Sequence, residues 1–137
     1  MLKRLPVILT IILCSACTKN TKTACGTQVC TALFASVGIH FIDKDGSPVA
    51  VTDFTVINLR TNKTIIHAIP EGLNNNAGYK EVVDDNDIKS LSTDGDNLQV
   101  SATNPNGNQT KTVVLKIAGG CNCHVTKVSG PDSLQFD

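Results

Sequence analysis

The sequence predicts an all-β fold: an antiparallel sandwich of about seven strands, built as one domain over residues 30–137. Three observations lead there. Apolar and polar residues alternate over short runs. Clusters of Asn, Asp, Gly and Pro interrupt those runs every 8–12 residues, and no long stretch keeps a helical period. Short strands at that spacing are the pattern of two packed antiparallel sheets.

Each element follows from local pattern. In Leu33–Ile42 the odd positions are Leu33, Ala35, Val37, Ile39 and Phe41, a period of two that predicts one buried face. Asp43-Lys44-Asp45-Gly46-Ser47-Pro48 breaks that run with turn residues. Phe54–Arg60 reads as the second strand and Thr64–His67 as the third, with Thr61-Asn62-Lys63 turning between them. Pro70–Gly78 holds three successive Asn and reads as a loop, and Tyr79–Val83 is the fourth strand. Asp84-Asp85-Asn86-Asp87 offers caps for a short helical turn at Ile88–Leu91. Leu98–Ala102, Thr112–Ile117 and Cys123–Val128 complete the count, and a further short extended piece is expected around Leu134–Phe136.

The chain opens differently. Lys3 and Arg4 precede the apolar run Leu5–Leu13, which ends in Cys14-Ser15-Ala16-Cys17. A transmembrane helix needs roughly 20 apolar residues, so this run is too short to span. Basic start, apolar run and small residues in that order form a signal peptide. Ser15-Ala16-Cys17 resembles the lipobox of bacterial lipoproteins, with Cys14 where Leu or Val is usual. The resemblance implies removal of residues 1–16 and acylation of Cys17, which becomes the new N-terminus. Two or more acyl chains hold a protein on a membrane stably. Residues 17–29 then form a lipidated tether. The absence of Asp after Cys17 (Thr18 stands there) implies, by the same resemblance, the outer membrane of a Gram-negative cell envelope.

Loss of Lys3 and Arg4 leaves ten basic residues against 12 acidic ones, a net charge of −2. Nucleic acid demands a basic footprint, so no such partner is expected. Four cysteines remain after Cys14 is removed and Cys17 acylated: Cys25, Cys30, Cys121 and Cys123. An even count in an exported chain predicts disulfides. A Cys121–Cys123 bridge would close a very small ring, so both bridges are expected to join the N-terminal pair to the C-terminal pair, in either of two connectivities. Closing a loop of about 95 residues contributes about 4–5 kcal/mol in the chain-entropy model, less any strain.

Ile42–Val49, with its Asp/Gly turn and Pro48-Val49, resembles the opening of carboxypeptidase-regulatory-like or transthyretin-like domains. Gly78-Tyr79 and the Gly95–Val100 run are similar to the glycine–tyrosine and Gly-Asp-x-Leu-x-Val strands of that family. The resemblance implies an immunoglobulin-like or transthyretin-like Greek-key sandwich, found mostly as a non-catalytic module of exported proteins.

Candidate chemistry is sparse. Asp43-Lys44-Asp45-Gly46 begins like a calcium loop, but position 12 from Asp43 is Phe54, where an EF-hand needs a bidentate Glu. Turn formation is the primary reading, with Asp43 and Asp45 the residues a calcium site would use. Asp84, Asp85, Asp87, Asp94 and Asp96 are turn carboxylates that a calcium site could share if they converge. Cys25, Cys30, Cys121, Cys123 and His124 are the soft-ligand set for zinc, without the paired Cys-x2-Cys spacing. His40 and His67 have no acid or nucleophile at motif spacing, and no Gly-x-Ser-x-Gly elbow is present. No enzyme, cofactor or small-molecule ligand is therefore expected. The absence of Trp, with Phe41 and Phe54 in core positions, disfavours sugar stacking. The expected function is a non-catalytic, lipid-anchored envelope protein that binds or assembles with a protein partner; the alternative is a calcium- or zinc-binding envelope protein.

Overall fold

The computed structural model describes residues 25–66 and 78–137. The expected signal peptide, Cys17, most of the expected tether, His67 and nearly all of the Pro70–Gly78 segment read as a loop lie outside the described residues. Among the described residues, eight strands form two sheets. β1 (Ser36–Ile42), β4 (Tyr79–Asp84) and β8 (Ser133–Gln135) make a three-stranded sheet in the order β4-β1-β8. β2 (Thr52–Asn58), β3 (Lys63–Ile65), β5 (Asp96–Asn104), β6 (Gln109–Ala118) and β7 (Thr126–Ser129) make a five-stranded sheet in the order β3-β2-β5-β6-β7. The all-β sandwich is thus the fold, and the extended piece at the tail is its eighth strand.

Alternation places the core between the sheets. Leu98, Val100 and Ala102 of β5 and Leu115 and Ile117 of β6 point inward from the larger sheet. Ile39, Phe41, Val82, Val83, Leu134 and Phe136 fill the other side. Phe41 stacks on Phe136 at 6.3 Å and meets Phe54 edge-on at 6.0 Å, both ordinary aromatic packing. Every named pair is antiparallel except β1–β8, which is parallel and sets Phe41 opposite Leu134. The chain reaches β8 by crossing from the far sheet, so no hairpin dictates its direction.

Most element boundaries differ by one to three residues from the sequence reading, the starts of β1 and β7 among them. The alternation from Leu33 suggested a strand from that residue, yet β1 starts at Ser36, and Leu33 and Phe34 are exposed. Leu33 and Ala35 keep the parity of the strand without belonging to it. Cys123–Val125 also precede their strand, because Gly119-Gly120 and the cysteines form a turn before β7 begins at Thr126. Gly120 has φ +62°, and a Cβ there would approach Thr93 N at 2.7 Å. A side chain at this position would therefore lift the turn off its neighbours.

Polar groups close the ends of the sandwich. Asp84 accepts from Asn86 N and Asp87 accepts from Asp84 N, a capping box that starts the 3₁₀ helix Asp85–Ser90. At the other carboxylate of note, Asp96 is 2% exposed. Arg60 donates to both its oxygens through Nε (2.6 Å) and Nη2 (2.7 Å), with Asn58 Nδ2 and Ser92 Oγ adding two more bonds. Burial works to raise the Asp96 carboxyl, but these donors and the guanidinium charge outweigh it and hold it well below the usual carboxylate range.

Candidate functional site: the stapled end

The structure gathers its chemistry-bearing groups where the N-terminal arm meets the turn before β7. Residues 25–34 run outside any strand and are exposed throughout. Two disulfides fasten this arm, Cys25–Cys121 and Cys30–Cys123, with Cα separations of 5.2 and 5.3 Å. One of the two long-range connectivities is therefore the one formed. All four sulfurs are consumed, which removes the thiolates that a zinc site at this place would require.

The second bridge brings its neighbours together. Thr31 follows Cys30 and His124 follows Cys123, and Thr31 Oγ1 lies 2.8 Å from His124 Nε2. On the other side of the ring, His124 Nδ1 lies 2.7 Å from Asp85 Oδ2. Asp85 is set by the start of the 3₁₀ helix and held by two backbone donors: Ala35 N–H to Oδ2 at 2.8 Å and Val125 N–H to Oδ1 at 2.9 Å. Partial burial works to raise the Asp85 carboxyl, but the bonds from Ala35, His124 and Val125 outweigh it and keep it below its ordinary value. An ionised carboxylate only accepts, so His124 Nδ1 carries the proton in the bond to Asp85. In the neutral ring Nε2 is then the acceptor, and the Thr31 hydroxyl donates to it. The His124 side chain is 25% exposed and that of Asp85 15%. Charge in this row is shielded but not sealed from water.

The remaining candidates lie elsewhere. Asp43 Oδ1 accepts from Asp45 N and Ser47 N, the work of a turn carboxylate. Among the described residues, no three His, Cys, Asp or Glu side chains come together as a metal-ligand group. The Asp residues grouped from the sequence do not converge: Asp84 and Asp87 cap the helix, Asp85 meets His124, and Asp96 meets Arg60. His40 is exposed on β1 beside Tyr79. Thr31 is the residue that sequence reasoning missed. The signal lay in the dipeptides Cys30-Thr31 and Cys123-His124, and it becomes legible only once the Cys30–Cys123 pairing is known.

The chain matches no protein-family model, no curated protein and no solved structure.

Proposed function

We propose that the protein is a lipid-anchored β-sandwich of the bacterial cell envelope, tethered through Cys17 and acting as an interaction or assembly module. The observation that supports this most is the covalent fastening of the arm. The arm is joined at Cys25 and Cys30 to the far end of the chain, so an anchor upstream would be coupled to the folded body rather than to a loose tail. Disulfides of this kind persist in exported proteins and are reduced in the cytosol. The partner would be an extended protein segment that adds to a sheet edge. β4 and β8 border the small sheet, and β3 and β7 border the large one. The carboxypeptidase-regulatory-like resemblance fits such a role and adds no catalytic residue.

The test is the intact mass of protein extracted from membranes, alkylated with and without prior reduction. The expected mass starts at Cys17, carries acyl chains, and gains four alkyl groups only after reduction. Cys17→Ser should abolish acylation and the cleavage before residue 17, so that its mass includes residues 1–16 and no acyl chain. An unacylated native chain would overturn the anchor.

A further inference from the structure

We propose that Thr31, His124 and Asp85 form a nucleophile, base and orienter that hydrolyse carboxylic esters at the stapled end. This goes beyond the interaction-module reading and does not depend on it. It also departs from the expectation that the chain lacks catalytic residues. That expectation rested on motif spacing, whereas these residues stand 93 and 39 positions apart in sequence.

Three features carry the inference. The first is order. Hydroxyl, imidazole and carboxylate stand in one hydrogen-bonded row at 2.8 and 2.7 Å, and geometry and roles, not sequence position, define such a set. The second is tautomer. Asp85 fixes the Nδ1 proton, leaving Nε2 to receive the hydroxyl proton of Thr31. The third is preorganisation. Thr31 and His124 each adjoin the same disulfide, and both oxygens of Asp85 are tied to backbone, so none of the three must be recruited from a mobile segment. Asp85 also ties the backbone at Ala35 and Val125, whereas Thr31 is exposed and takes no part in the core.

The reaction balances without a cofactor. Thr31 Oγ1 bonds to the ester carbonyl carbon while its proton passes to His124 Nε2. The tetrahedral adduct collapses, the bond to the alcohol oxygen breaks, and the alcohol leaves with the proton from Nε2. Water then attacks the acyl-threonine, giving one proton to Nε2; the carboxylic acid departs and Thr31 regains its proton. Thr31 and His124 are the catalytic residues, and Asp85 is a positioning residue. The same arm exposes Val29, Leu33 and Phe34 at 98, 76 and 65%, an apolar surface suited to an acyl chain. The substrate class is accordingly an ester with an apolar acyl group.

The experiment uses the full chain with its bridges intact and p-nitrophenyl butyrate as probe. The native protein should release p-nitrophenol about 100-fold faster than Thr31→Val, the lower end of what a positioned base contributes. Thr31→Ser should restore turnover, since serine keeps the hydroxyl and removes the crowding methyl. Peptide mapping of the native protein after rapid acid quench should find the butyryl group on Thr31. Equal rates for native protein and Thr31→Val would overturn the proposal. So would a butyryl group found only on lysine or the amino terminus, or no turnover above buffer. The row would then be a clasp for the arm. The adduct map needs no variant, so it decides the question even if a substitution unsettles the arm.

Discussion

Asp96 illustrates how a single residue ties two strands. Its carboxylate is buried, while the side chain of its partner Arg60 is 52% exposed. Removing the acid leaves a guanidinium that water can still solvate, so the loss is that of charge-assisted hydrogen bonds. Asp96→Asn should cost about 2–3 kcal/mol, read from urea denaturation at neutral pH. The pH dependence has a definite sign. The native carboxyl titrates below its unfolded value of about 3.9, so the unfolded chain takes up the proton first as pH falls. The stabilisation is complete above about pH 5 and is lost progressively as pH falls below about 4. The melting temperature of the native protein should drop steeply across that range, and that of Asp96→Asn should drop less. An identical acid profile for both would show that Asp96 does not contribute. Only half of this was legible in the sequence. The sequence reads Asp94 and Asp96 as turn carboxylates, and Asp96 instead opens β5; its cation lies 36 positions away, just past the end of β2, and no local pattern reports such a pairing.

At the level of elements, the strands were legible because alternation is a direct image of one buried face. The strands of the described residues overlap the runs read from the sequence, and at β1 the error sits where parity continues beyond the pairing. Thus Leu33 is in phase with Phe41 yet exposed, because pairing begins only at Ser36 opposite Asp84. The disulfides act as one element rather than two. Either bridge alone closes the long loop, and the other then closes only a small ring of about eight residues. In the chain-entropy model that ring is worth about 2.5 kcal/mol, against about 4.7 for the long loop. Replacing Cys30 and Cys123 by Ser should therefore cost about 2.5 kcal/mol, as should replacing Cys25 and Cys121. Replacing all four should cost about 7 kcal/mol, more than the sum of the two pairs. Denaturation of the three variants tests this. Strictly additive losses would mean that the two bridges do not share a loop in the unfolded state. The candidate row at His124 belongs to the same element, because Thr31 faces it only across the Cys30–Cys123 bridge.

Across the whole molecule, the first and last described strands meet on the small sheet. β1 pairs with β8 through Phe41 and Leu134, 93 positions apart, and Phe136 seals the contact by stacking on Phe41. Such non-local pairing is slow to form, because closure entropy is lost before the contact is made. The disulfides shorten that search. Cys30 lies 11 residues before Phe41 and Cys123 lies 11 before Leu134, so in the oxidised chain about 22 residues separate the pairing partners instead of 93. With closure scaling as (3/2)RT ln n, the difference is about 1.3 kcal/mol, or roughly ninefold in rate, if β1 and β8 pair in the transition state. Stopped-flow refolding of the oxidised protein and of the four-serine variant checks this, with sodium sulfate added to both to keep the weaker one folded. The oxidised chain should refold about ninefold faster. Equal folding rates, with the whole stability difference in unfolding, would place β1–β8 pairing after the transition state. The five-stranded sheet, built around the local β5–β6 hairpin, would then be the part of the sandwich that forms first.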